Sequence, residues 1–204
     1  MIAIIDYGVG NLFSLCSSLK MLGLEAEVTA DPKKIKGADR IILPGVGAFG
    51  DAIEKLRATG LVEPLTEEVK KGKPLLGICL GMQLLFEKSF EYGEHDGLGY
   101  LKGKICNLAD DIQTGLKVPE MGWNSLHFIK KEHPLLRYIQ EGDYVYYVHS
   151  YYAKNCAESL VAVSDYEVEV PGIVGYKNVM GTQFHPEKSG AVGLSILKAF
   201  SEIQ

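Results

Sequence analysis

The chain has no long hydrophobic run. Its longest apolar stretches, such as Met1 to Ile5 and Pro74 to Leu80, fall far short of the roughly 20 residues a membrane-spanning helix needs. It has no basic cluster either. Basic residues gather only in pairs such as Lys33-Lys34, Lys70-Lys71 and Lys130-Lys131, and 21 Lys and Arg stand against 26 Asp and Glu for a net charge of −5. Nucleic acid and membrane are therefore not expected partners. The four cysteines, Cys16, Cys79, Cys106 and Cys156, form no C-x-x-C and no Cys/His cluster of metal-ligand spacing. The reading is four free thiols in a reducing compartment, with no metal and no cofactor implied. The first residues lack the basic region, apolar stretch and small-residue cleavage site of a secretory signal, so a cytoplasmic location is expected. Repeats, low-complexity tracts, Pro/Ser linkers and a G-x-x-x-x-G-K-[ST] phosphate loop are all missing. What is left is 204 residues, 47% of them hydrophobic, enough for a single domain, 1–204, around one sizeable core.

The first half alternates. Met1 to Asp6 reads as a buried parallel strand running into the turn Tyr7-Gly8-Val9-Gly10, after which Asn11 can cap a helix carrying Leu12, Leu15, Cys16, Leu19 and Leu22 on one face. Strands at Glu25 to Ala30 and Arg40 to Leu43 follow, separated by the turn material Asp31-Pro32 and Gly37. Helices are expected at about Asp51 to Ala58 and Leu61 to Lys71, then a strand at Pro74 to Ile78 and a helix from Cys79 to Phe86. The second half is richer in strands: Gly103 to Leu108, Ser125 to Ile129, Tyr144 to Val148, Ser159 to Val163, Gly172 to Tyr176 and Val179 to Gln183. A closing helix spans Ala191 to Ile203. This order predicts an α/β fold whose central mixed, mostly parallel sheet is flanked by helices. Ligands in such folds sit beyond the carboxyl ends of the strands, so the strand ends at Pro44 to Gly47, Cys79 and His185 are expected to converge.

Gly77-Ile78-Cys79-Leu80-Gly81 has the form G-x-C-x-G between a strand and a helix, the context of a nucleophile elbow. Glycines flanking the turn relieve its crowding, and a helix N-terminus favours thiolate over thiol. A thiolate nucleophile needs a proton donor for its leaving group. His185 follows the apolar strand ending at Phe184, Pro186 fixes the chain after it, and Glu187 lies close enough to orient the imidazole. Pro44-Gly45-Val46-Gly47 can aim backbone N–H groups at a developing oxyanion, together with the N–H of Leu80.

A Pro-Gly-x-Gly strand end, a Gly-x-Cys-x-Gly elbow and a His-Pro-Glu sequence, in that order, resemble the class I (triad) glutamine amidotransferases, which share a flavodoxin-like fold. Further segments, Ile5-Asp6-Tyr7-Gly8-Val9-Gly10-Asn11-Leu12, Met121-Gly122-Trp123-Asn124 and Phe184-His185-Pro186-Glu187-Lys188-Ser189, are similar to the glutaminase subunits of imidazole glycerol phosphate synthase, in histidine biosynthesis. The resemblance implies Cys79 as nucleophile, His185 as acid/base and Glu187 as its orienting partner. It implies Val46 and Leu80 at the oxyanion, and Gly47, Gln83, His149, Ser150 and Tyr151 around L-glutamine. Asn11, Met121, Trp123 and Lys188 match the side facing a cyclase partner with a (β/α)8 barrel, in a heterodimer. Such a barrel takes about 250 residues and cannot be housed in this chain. The implied reaction hydrolyses glutamine to glutamate and ammonia through a thioester and delivers the ammonia to that partner; because wasteful hydrolysis must be avoided, the lone subunit is expected to be nearly silent, its Pro44 to Gly47 strand misoriented until the liganded partner binds. Two departures stand out: Glu120 where the family commonly has His, and Lys102 where it has Pro. The alternatives are a glutaminase subunit of the anthranilate or aminodeoxychorismate synthase type, which Ile-Asp-Tyr-Gly-Val-Gly-Asn and Met-Gly-Trp-Asn disfavour, and a non-catalytic regulatory subunit, which the intact Cys79, His185 and Glu187 disfavour.

Overall fold

The structure is a computed structural model that describes residues 1–113 and 115–204. In chain order the elements are β1 (Ile2–Ile5), α1 (Leu12–Met21), β2 (Ala26–Thr29), α2 (Pro32–Gly37), β3 (Arg40–Gly45), α3 (Phe49–Ala58), α4 (Val62–Lys70), β4 (Leu75–Cys79) and α5 (Leu80–Gln83). Then come β5 (Phe86–Ser89), β6 (His95–Asp96), β7 (Leu101–Asn107), β8 (Glu120–Ser125), β9 (His127–Phe128), β10 (Tyr144–His149) and β11 (Tyr151–Lys154). The chain closes with β12 (Leu160–Asp165), β13 (Glu169–Tyr176), β14 (Val179–Thr182) and α6 (Gly190–Ser201).

Eight strands form one sheet in the order β2-β1-β3-β4-β14-β13-β12-β9. From β2 to β14 neighbours run parallel, and the β13, β12 and β9 side is antiparallel, which is the mixed, mostly parallel sheet expected. Period-two alternation sends side chains to two cores. Ala3, Ile5, Ile41, Leu43 and Leu75 pack with Phe49, Ile53 and Leu56 of α3 and Leu65 of α4. On the opposite face Ile2, Ile4, Ile42 and Leu76 pack with Leu15 and Leu19 of α1 and Ile196, Leu197 and Phe200 of α6. Strands covered on both faces read as continuous apolar runs, and this is why β1, β3 and β4 are so plain in the sequence.

Several local expectations are corrected. The helix after Cys79 is a single turn, and the chain is already extended again at Phe86. Leu84, Leu85 and Phe86 are all fully buried, and a short apolar run buried on every side carries no period that tells helix from strand. Asp31-Pro32 opens a short helix rather than a turn: the Asp31 carboxylate accepts from the Lys33 N–H at 2.8 Å and proline occupies the first turn. Asn11 precedes α1 but its side chain makes no capping bond. Met121 to Asn124 belongs to β8, which pairs antiparallel with β10 outside the main sheet. Cys16 packs at the margin of the second core and is half-buried.

Candidate active site

Parallel register carries three strand ends to the same level of the sheet. Gly45 of β3 lies opposite Cys79 of β4, and Thr182 of β14 lies opposite Ile78, so the chain leaving β14 reaches His185 beside the elbow. Cys79 has φ +55° and ψ −112°, a conformation that L residues rarely hold unless their surroundings over-determine it. The flanking glycines supply those surroundings. A Cβ on Gly81 would stand 1.9 Å from the Leu43 carbonyl oxygen, and one on Gly77 would stand 2.7 Å from the backbone of Gly81 and Met82. Helix α5 is too short for much dipole, since the macrodipole needs several aligned turns, so side chains must do more of the work at the sulfur than the sequence suggests.

His185 is 2% exposed, and its Nδ1 lies 2.8 Å from Glu187 Oε1. A carboxylate there fixes Nδ1 as the donor and turns Nε2 toward Cys79. Burial pushes the imidazole pKa down, but interactions with the Cys79 sulfur and the Glu187 carboxylate outweigh it and hold the group well above the ordinary histidine range. The turn is pinned from behind. The Ser189 hydroxyl donates to the His185 carbonyl at 2.7 Å and accepts from the Tyr146 N–H at 3.0 Å, while the His185 N–H donates to the Tyr146 carbonyl at 3.1 Å.

Cys79 and His185 line one cleft of about 320 Å³ that also holds Val46, Gly47, Leu80, Gln83, His149, Ser150, Tyr151 and Lys188. The structure thus gathers every sequence-predicted substrate and oxyanion residue around the sulfur. Glu187 and Asn11 lie one layer back, beside a narrow crevice next to Pro44 and Gly45. Met121 and Trp123 stand apart on β8, 63% and 55% exposed. The departure at Glu120 is buried, its Oε2 2.9 Å from His149 Nε2, whereas Lys102 is exposed. Among the described residues no group of His, Cys, Asp and Glu could hold a metal ion.

Three contributors escape the sequence reading. Glu91 lines the cleft, buried, and accepts from the Phe49 N–H at 2.6 Å. Burial pushes its carboxyl upward, and that hydrogen bond opposes the shift. It sits in an acidic stretch with no motif to mark it. Tyr7 donates to the Pro44 carbonyl at 2.7 Å at the root of the glycine-rich segment; burial and the nearby Cys79 charge push its phenol upward. Gln183, fully buried, has its side-chain nitrogen 3.8 Å from Cys79 Sγ.

The profile of the class-I glutamine amidotransferases matches residues 3–202. Imidazole glycerol phosphate synthase subunit HisH from Caldanaerobacter subterraneus subsp. tengcongensis is 53% identical over 100% of this chain and 98% of its own length. The HisH subunit of Bacillus subtilis is 51% identical over 100% of this chain and 96% of its own. Among solved structures, a glutamine amidotransferase superposes with a TM-score of 0.75 at 20% identity, covering 98% of this chain and all of that one. PurLQS from Thermotoga maritima gives 0.75 at 19% identity, over 98% of this chain and 96% of that chain. At such identities these structures speak for the fold alone. The strand-end cleft with its cysteine elbow and the full-length matches converge: the chain belongs to the class-I glutamine amidotransferase family, among the HisH subunits.

Proposed function

We propose that this chain is the glutaminase subunit of an imidazole glycerol phosphate synthase, hydrolysing L-glutamine to glutamate and ammonia for histidine biosynthesis. The observation that carries the reading is one cleft in which a strained cysteine elbow faces a histidine already paired to a carboxylate. Cys79 Sγ attacks the carboxamide carbon, and the carbonyl π electrons move onto oxygen, where the N–H groups of Val46 and Leu80 receive the charge. The tetrahedral intermediate collapses as the C–N bond breaks, and His185 Nε2–H protonates the departing ammonia. Water, giving its proton back to His185, then cleaves the thioester to glutamate and free thiol. Glu187 keeps the ring in register throughout. The buried Glu91 carboxylate suits the substrate's α-ammonium, and the Ser150-Tyr151 backbone suits its α-carboxylate. Gln83 and His149 complete the wall around the substrate, beside Gly47.

Ammonia released to bulk water is protonated and loses its nucleophilicity, so the chain works as one subunit of a complex. Its relatives are named as synthase subunits. We assign the partner as a cyclase with a (β/α)8 barrel, received by the exposed Met121 and Trp123 together with Asn11 and Lys188 in a heterodimer. Four unpaired cysteines suit a reducing compartment, and we place the complex in the cytoplasm. The test is Cys79→Ala in the reconstituted complex. Glutamine-dependent turnover should vanish while turnover with added ammonia persists, and undiminished glutamine-dependent turnover overturns the reading. Assaying glutamine hydrolysis with and without the liganded partner tests the silence of the lone subunit.

A further inference from the structure

We propose that Gln183 is a positioning residue for the nucleophile: its side-chain N–H, held in one orientation by a relay of hydrogen bonds, donates to the Cys79 sulfur and favours the thiolate. The proposal rests on Cys79 being the nucleophile.

A buried glutamine amide has two ends of opposite polarity, and only one helps a sulfur anion. The wrong rotamer would aim a carbonyl oxygen at it. The neighbours decide which end faces Cys79, beginning with a group that has a single role. The Tyr151 carbonyl can only accept, so Gln83 must give it an N–H, and the two lie 2.9 Å apart. The second N–H of that same nitrogen lies 3.0 Å from Gln183 Oε1. With its oxygen accepting from Gln83, Gln183 is left to present Nε2 to Cys79 Sγ, at 3.8 Å. The polarity is set at the Tyr151 carbonyl and handed along two amides to the sulfur.

The carbonyl is itself anchored. His149 ties it to Glu120, with Nδ1 3.0 Å from the Tyr151 carbonyl oxygen and Nε2 2.9 Å from Glu120 Oε2. Glu120 Oε1 accepts from Asn124 Nδ2 at 2.9 Å, so both ring nitrogens of His149 face acceptors that are held in place. The side chains of Glu120, His149, Gln83 and Gln183 are all buried, where a misdirected polar group costs most. A residue that merely filled space at position 183 would need none of this.

The direct measurement is the pH dependence of Cys79 alkylation by iodoacetamide in the full-length chain. Gln183→Met keeps the shape and removes the donor. The other titratable groups around the sulfur are His185 and its partner Glu187, Tyr7, and across the cleft Glu91, His149 and Lys188; all are left in place. The alkylation midpoint should rise by about one pH unit, as loss of a hydrogen bond to a charged group implies. In the complex with its synthase partner, kcat for glutamine should fall about tenfold with KM within about twofold. Gln183→Glu, which sets a carboxylate against the sulfur, should raise the midpoint further. A folded Gln183→Met chain with the parental alkylation profile overturns the proposal. Should both variants fail to fold, the parental chain still decides: the Gln183 side-chain amide proton resonances must move with the same pH midpoint as alkylation, and their standing still refutes the contact. Failure here is distinct from failure of the nucleophile assignment, which Cys79→Ala alone decides.

Discussion

Gly81→Ala is the sharpest test of how the elbow is built. The added Cβ would sit 1.9 Å from the Leu43 carbonyl oxygen, 2.8 Å from the Leu43 carbonyl carbon and 3.1 Å from that of Pro44. All three are backbone atoms of β3, so no side chain can swing aside. Restoring an ordinary contact needs a displacement of about 1.5 Å between the elbow and a central strand that is hydrogen-bonded on both sides. Overpacking that a core can relax around costs about 1–3 kcal/mol, and here the relaxation must move a sheet, so we expect about 4 kcal/mol. For a domain of this size that is a fall in Tm of roughly 8–16 °C. Urea denaturation supplies the free energy directly. Gly37→Ala is the control, since a Cβ there meets nothing within 4 Å and stability should stay within about 1 kcal/mol of the parent. Glutamine hydrolysis should collapse in Gly81→Ala even in the folded fraction, because the strain lands on Leu43 and Pro44 at the root of the oxyanion segment. A Gly81→Ala chain as stable and active as its parent would refute the steric account of the elbow.

The raised pKa of His185 makes a stability prediction of definite sign. The folded state binds the imidazole proton more tightly than the unfolded chain, so this contribution is whole below the ordinary histidine pKa and is lost as pH climbs toward the elevated folded value. The gap in urea midpoint between the parent and His185→Gln should therefore narrow from pH 6 to pH 10; a gap that widens contradicts the assignment. Tyr7→Phe leaves the Pro44 carbonyl without its donor and should cost about 1–3 kcal/mol in denaturant unfolding, with kcat falling more than KM rises. Unchanged kcat would show that the Tyr7 anchor does not steady the oxyanion segment.

The legible parts of this molecule are those where one physical demand selects one residue type. Strands β1, β3 and β4 are buried on both faces and announce themselves by unbroken apolar runs. Cys79 is marked by glycines that no other residue could replace at that spacing, and Glu187 by its place two residues beyond His185 across a proline. Where several structures satisfy the same pattern, the sequence is silent. Leu84 to Phe86 suits a helix or a strand, and six residues at Pro32 to Gly37 are too few to show a period. Glu91 and Gln183 act through partners distant in the chain, Phe49 for one and Gln83 for the other, and no local spacing foretells a contact that the tertiary fold creates.

The place of β14 in the sheet has a consequence for the cell that makes the protein. Although last in sequence, this strand is inserted between β4 and β13 and carries His185 at its exit. A chain still emerging from the ribosome already has its cysteine but neither the strand that flanks it nor the imidazole that would serve it. Domains fold as units, and here the sheet stays open until the final stretch arrives. Translation is therefore its own safeguard: a product cut short before β14 lacks both the strand beside Cys79 and the imidazole of His185, and so cannot consume glutamine.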